Sequence, residues 1–183
     1  MKWKYFEEAS EIALALDEYL DRLGLYNERI KVHETGLKAS ENNMKTFVRH
    51  LKKLGNVYWG LSDIPTALEY YEAGLLISRN INDRENESNY LGDLGNAYHN
   101  LGEFRKAIEY YEESLLIARE NRDPRGQCTC LGNLGLAYTD IGDTAKAIEY
   151  HEEALVISRE IRDRRCEGLW LGNLGLALSL IHI

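Results

Sequence analysis

Leu91-Gly92-Asp93-Leu94-Gly95-Asn96-Ala97-Tyr98 is repeated as Leu131-Gly132-Asn133-Leu134-Gly135-Leu136-Ala137-Tyr138. It begins again as Leu171-Gly172-Asn173-Leu174-Gly175-Leu176-Ala177, and a looser copy stands upstream as Leu51-Lys52-Lys53-Leu54-Gly55-Asn56-Val57-Tyr58. The starts fall at 51, 91, 131 and 171, a period of 40 residues. A fixed period of this size marks a stacked-repeat architecture, in which each unit buries its apolar face only against its neighbours.

Within a unit the apolar spacing is helical. Leu91, Leu94, Tyr98 and Leu101 share one face of a helix A predicted from Arg84 to Leu101, which Gly102 stops. Helix B starts near Phe104 and carries Ala107, Ile108, Tyr111 and Leu115 inward. Asp83, Asp123 and Asp163 stand where each new helix A begins, where a carboxylate can accept from the free N–H groups of the first turn. The two prolines, Pro65 and Pro124, both fall at predicted helix starts. Gly55, Gly95 and Gly135 recur inside helix A, where glycine costs about 1 kcal/mol relative to alanine. We expect them to face Ala67, Ala107 and Ala147 of helix B, so that the two backbones approach closely.

Upstream, Ile12, Leu16, Leu20 and Leu23 predict the inward face of a helix over 1–23, ended by Gly24. A second helix over Tyr26–Ser40 carries Tyr26, Ile30, His33 and Leu37. This pair aligns with the next at an offset of 38 residues, and we assign the missing two to its exit loop, Glu41-Asn42-Asn43. The expected organisation is a divergent helix pair at 1–43, repeats at 44–83, 84–123 and 124–163, and a lone helix A at 164–177. Residues 178–183, Leu178-Ser179-Leu180-Ile181-His182-Ile183, leave the pattern where tyrosine is expected. They are similar to a translated sequencing adapter, and we expect them to be an artefact rather than part of the repeat.

Leu94-Gly95-x-x-Tyr98, Ala107 and Tyr111 resemble, in order and spacing, the tetratricopeptide repeat signature. Leu54, Gly55, Tyr58, Ala67 and Tyr71 match it too. Leu134, Gly135, Tyr138 and Ala147 match with His151 at the aromatic place. The 40-residue period is similar to the longer subclass of kinesin light chains, polarity adaptors that bind G-protein regulators, and bacterial signalling proteins. The resemblance implies an all-α fold, a right-handed α-α superhelix of antiparallel helix pairs whose A helices line a concave face. Residues 15–29 are similar to the junction that opens the repeat array of STAND-type regulatory ATPases.

The resemblance also implies where a ligand would lie. Carried onto this sequence, the groove positions are Arg49, Lys52, Lys53, Asn56 and Trp59 in the first clear unit. They are Asn89, Asp93, Asn96 and His99 in the second, then Thr129, Asn133, Leu136 and Thr139, with Asn173 continuing the row. Asparagine suits an extended peptide because its amide both donates and accepts. Arg49, Lys52 and Lys53 form a basic end, which points to an acidic or C-terminal segment as ligand.

Other classes are disfavoured. A net charge of −8 argues against a general nucleic-acid binder. No apolar run approaches the ~20 residues of a membrane span. The start of the chain lacks a signal-peptide core, and together these point to the cytoplasm. Cys128, Cys130 and Cys166 read as free thiols; the first two point to opposite sides of a helix and cannot share a metal. No phosphate-binding loop, metalloprotease motif or other catalytic constellation is present, and no metal or cofactor is expected. His33, His50, His99, His151 and His182 are scattered, and His33 and His151 take the place of Tyr71 and Tyr111. We therefore expect a non-catalytic scaffold that binds a peptide or protein segment. The alternatives are the sensor arm of a larger STAND-type ATPase, or a structural module that associates end to end through Leu171 and Leu174 of its last helix.

Overall fold

The computed structural model describes residues 2–181, with side chains from Glu8 to Ser179; His182 and the end of the 178–183 tail lie outside the described residues. Those residues form helices α1 (Lys2–Arg22), α2 (Tyr26–Ala39), α3 (Met44–Gly60), α4 (Ile64–Asn80), α5 (Arg84–Asn100), α6 (Phe104–Glu120), α7 (Pro124–Asp140), α8 (Thr144–Glu160) and α9 (Arg164–Ile181). No strand occurs among them. One compact unit ends at Tyr90 and the other begins at Leu91, within α5.

The helices from α3 to α8 are each 17 residues long and are joined by three-residue connections. The middle residue of each connection is left-handed: Ser62, Asn82, Gly102, Arg122, Gly142 and Arg162. The next residue both closes one helix and opens another. The Asp63 and Asp143 N–H groups donate back to the Tyr58 and Tyr138 carbonyls at 2.9 Å. Their carboxylates then accept from Thr66 and Lys146 N–H at 3.3 and 3.2 Å. Asp83, Asp123 and Asp163 cap the A helices as expected, accepting from Asn86, Arg125 and Cys166.

The glycines need a different account from the expected one. A Cβ on Gly55 or Gly95 would strike the ring of Tyr71 or Tyr111, and on Gly135 the ring of His151. The ring, not the alanine, lies on the glycine; Ala67, Ala107 and Ala147 are simply buried beside it. The same device joins each B helix to the next A helix. His50 lies on Gly36 and Tyr90 on Gly74. Where Ser114 replaces that glycine, the facing residue shrinks to Cys130, whose thiol donates to the Ser114 hydroxyl at 3.3 Å. Where the place holds Ala154, the facing Trp170 lies on Gly132 instead. A second series of rings stacks within repeats: Tyr58 on Tyr70, Tyr98 on Tyr110 and Tyr138 on Tyr150, with centroids 5.5, 5.4 and 5.3 Å apart.

Several expectations for the terminal elements are overturned. Ile12 and Leu16 of α1 and Leu23 just past its end are exposed, while Ser10, Ala13 and Asp17 are buried in α1. Polar groups rather than leucines hold the first pair, so the leucine spacing does not mark the inward face of α1. The shortening of that pair is taken from α2, which has 14 residues, and not from the connection after it. Leu101 lies in the turn after α5, not on its inward face, and is exposed. In α9, Leu171 is exposed, but Leu174 packs against the core, so the apolar surface of that helix includes Leu169, Leu171, Leu176 and Leu178. Cys128 and Cys130 are buried and Cys166 half-buried, all three unpaired.

Gly92 sits in α5 with nothing within 4 Å of an added Cβ, three residues before Gly95. Gly92→Ala is expected to raise stability by up to ~1 kcal/mol, the helix-propensity gain. Gly95→Ala should lower it by about 1–3 kcal/mol, as overpacking against Tyr111 does. Urea unfolding of the two variants checks this, and a Gly95→Ala protein as stable as Gly92→Ala would refute the ring-on-glycine account.

Candidate functional site

Among the family-implied groove positions of the first unit, the basic end is not free. Lys53 Nζ lies 2.8 Å from the Asp17 carboxylate, and Arg49 donates to Glu11 at 3.4 Å. Lys52 also has an interaction partner. Helix α1 thus pairs Lys53 and Arg49 from within the chain, the Arg49–Glu11 pair being exposed. Trp59 and Asn56 are half-buried and Asn89 is exposed. Tyr71 donates its hydroxyl to the Asn56 amide oxygen at 2.9 Å.

In the second unit the same tie recurs, Tyr111 donating to Asn96 at 2.8 Å. Asn133 of α7 donates its amide to the same Asn96 oxygen at 3.2 Å. Both lone pairs of that oxygen are therefore engaged, and Asn96 offers a partner N–H donors only. At Asn96 this departs from the expectation that the asparagine would both donate and accept. His99 Nε2 lies 2.8 Å from Asp140, and its ring meets Phe104 edge-on. Thr129 and Thr139 bond back to their own helix, at Arg125 and Gly135 carbonyls. Thr129 is exposed, while Asp93, Leu136 and Asn173 are half-buried.

A cluster that the spacing argument missed lies in the first unit. Asp17 stands at the place of Gly55, Arg29 at that of Ala67 and His33 at that of Tyr71. The glycine, alanine and ring of an ordinary repeat are thus replaced by an acid, a base and an imidazole. Arg29 Nε and His33 Nε2 each lie 2.8 Å from Asp17 Oδ1, and Arg29 also reaches Asp21. His33 Nδ1 is 3.1 Å from His50 Nδ1, and His50 Nε2 is 2.6 Å from Ser10 Oγ. His33 Nε2 donates to the Asp17 carboxylate, and the His50 ring and the Ser10 hydroxyl extend the same hydrogen-bonded series. The signal was present as three departures from the repeat falling in one pair.

Serine, imidazole and carboxylate in series resemble the parts of an acyl-transfer site, but Ser10 is only 1% exposed. The same register carries the same tie elsewhere. Tyr90 donates to the Val48 carbonyl, and Trp170 Nε1 donates to Cys128 Sγ at 3.1 Å. The Ser10–His50 bond is the first member of that packing series. Among the described residues no cluster of three or more His, Cys, Asp or Glu is suited to a metal ion.

Fold and surface together define an all-α helical-repeat protein with exposed polar positions on its A helices. A tetratricopeptide repeat family model matches residues 47–120 and 96–160, and the chain belongs to that family. The chain is 34% identical over 86 residues to human G-protein-signaling modulator 1, a stretch that is 46% of this chain and 13% of that relative. Its fold is shared with BtubC (BKLC) from P. vanneervenii, with TM-score 0.84 and 20% identity over 95% of this chain and 79% of that one. It is also shared with a STAND protein with a tetratricopeptide repeat sensor from Pyrococcus horikoshii, with TM-score 0.82 and 22% identity. That match covers 97% of this chain and 27% of that one. No helix among the described residues is long and apolar enough to cross a membrane.

The buried cluster makes folding of the first pair acid-sensitive. Burial, aided by the neighbouring His33 and Arg49 and opposed by Asp17, lowers the His50 imidazole from 6.5 to about 4. Burial alone would raise the Asp17 carboxyl, but bonds from His33, Arg29 and Lys53 hold it well below the usual carboxylate range. Between pH 6.5 and 4 the unfolded chain binds more protons at His50 than the folded one. Its contribution is therefore complete above pH 6.5, falls as pH drops, and levels off below about 4, a loss of about 3 kcal/mol. Asp17 adds a loss in the same direction below its unfolded range. An NMR titration should find His50 changing charge near pH 4; a midpoint at pH 6 or above would contradict this lowering.

Proposed function

We propose that the chain is a non-catalytic scaffold that binds a peptide or protein segment on A-helix faces, the candidate face of one unit being Asn56, Trp59 and Asn89 and that of the other, taken by itself, Asn96, His99, Asn133 and Asn173. The observation that carries this reading is the asparagine–tyrosine tie. It repeats at Asn56–Tyr71 and Asn96–Tyr111, where the tyrosine holds the amide oxygen and leaves the amide N–H groups facing outward as donors. Buried tyrosines fix each amide oxygen before a ligand arrives, so the donors are pre-oriented and less entropy is lost on binding. Such donors suit the backbone carbonyls of an extended segment. Membership of the repeat family supports a protein-interaction role.

A second reading, the sensor arm of a larger signalling ATPase, is supported by the STAND likeness, which spans 97% of this chain but only 27% of that protein. On this reading the same A-helix faces sense a ligand on behalf of a nucleotide-binding module encoded in the same frame.

The test is selection from a random-peptide phage library, followed by affinity measurement on Asn56→Ala and Asn96→Ala. Each variant should weaken the selected peptides at least tenfold. Each should lower stability by about 1–3 kcal/mol, because a buried tyrosine hydroxyl loses its acceptor. Selected peptides that bind both variants as tightly as the parent would contradict the assignment of this face.

A further inference from the structure

We propose that the groove between α6 and α8 is a second docking surface, distinct from the A-helix faces, for a cationic segment with an aliphatic or aromatic anchor. The argument starts from one departure in the repeat. Arg79 and Arg159 each donate to a glutamate on the following helix, Glu87 at 3.1 Å and Glu167 at 3.0 Å. Arg84 and Arg164 close the same carboxylates from the other side, at 2.8 and 2.9 Å. The intervening repeat has Gln127 at that place, and its amide turns to the Ala118 carbonyl at 3.4 Å. Arg119 has no carboxylate there, and it reaches instead to Glu153 of α8 at 2.7 Å.

Between the two helices this leaves a groove of about 450 Å³ with Leu115, Leu116 and Tyr150 as its apolar lining. Leu116 is 59% exposed, and Val156, in the same register on α8, is 53% exposed. Around them stand Glu112, Glu149 and Glu153, three carboxylates against the single guanidinium of Arg119. Burial first, then the neighbouring Tyr138, Glu112 and Glu153, push the Tyr150 phenol up, in keeping with negative potential in the groove. An apolar strip rimmed by acids is complementary to a leucine or phenylalanine flanked by lysine or arginine. The incoming cation would take Glu153 from Arg119, exchanging one exposed ion pair for another.

The probe is a fluorescein-labelled amphipathic peptide of leucine and lysine, followed by anisotropy, with its leucine–glutamate counterpart as control. The protein should bind the lysine peptide and not the glutamate one. Glu112→Lys with Glu149→Lys, and separately Leu116→Ser, should each weaken binding at least tenfold. Glu69→Lys with Glu72→Lys makes the same charge change in the other unit and should leave binding unchanged, as should Asn96→Ala. Equal loss in the Glu69/Glu72 pair would mean general charge attraction and overturn the proposal. So would unchanged binding in the two groove variants, or no binding by the parent protein.

Discussion

An aromatic or imidazole ring packed against a glycine of the facing helix is the constraint from which the rest of this structure follows. A ring can lie there only where the residue beneath has no Cβ, which is why glycine is retained mid-helix at Gly55, Gly95 and Gly135 despite its poor helix propensity. Each buried ring contributes on the order of 1.5–3 kcal/mol through the area it removes from water. It also fixes how close helices A and B come. The B-to-A contacts obey the same rule, and where glycine is lost the ring is lost or moved: Ser114 faces Cys130, and Trp170 shifts to Gly132. Helix spacing is thus conserved by size compensation between facing residues.

The first helix pair solves the same packing problem with charge. Asp17, Arg29 and His33 occupy the places of glycine, alanine and tyrosine, and hydrogen bonds of 2.8 Å replace ring stacking. Lys53 from α3 joins the same carboxylate, so the cluster also ties the pair to the next repeat. A buried set of this kind is stable only while every partner is present. Its dependence on pH through His50 is a direct consequence, and burial lowers the His151 imidazole of a later repeat in the same direction.

Much of the fold was legible because the 40-residue period repeats both the helix pattern and its punctuation. Asp83, Asp123 and Asp163 were readable as caps, and Pro65 and Pro124 as first-turn residues, since each has a local physical role. Contacts that depend on which atoms face each other were not legible. Leucine spacing pointed the wrong face of α1 inward, because nothing local marks Asp17 and Ser10 as buried. The Gly95–Ala107 pairing was inferred from small size alone, and the Tyr111 ring that fills the space comes from one turn further along α6. Of the surface positions, Asn56 and Asn96 were found by the repeat register. That Lys53 and Arg49 are already paired depends on α1 packing against α3, which period alone does not supply. The groove between α6 and α8 depends on Gln127, a single departure that gains meaning only when the arginine clamps around it are seen.

The most direct test of the packing account is an unfolding cycle in the first pair. Asp17→Gly, Arg29→Ala and His33→Tyr would be measured singly and together. Each single change strands a buried partner or forces a ring against the Asp17 side chain, and should cost about 3 kcal/mol or more. The triple variant restores the glycine, alanine and ring of an ordinary repeat and should recover to within about 1–2 kcal/mol of the parent. A triple variant that loses the sum of its parts would show that charge and ring-on-glycine packing are not interchangeable solutions, and would contradict the account.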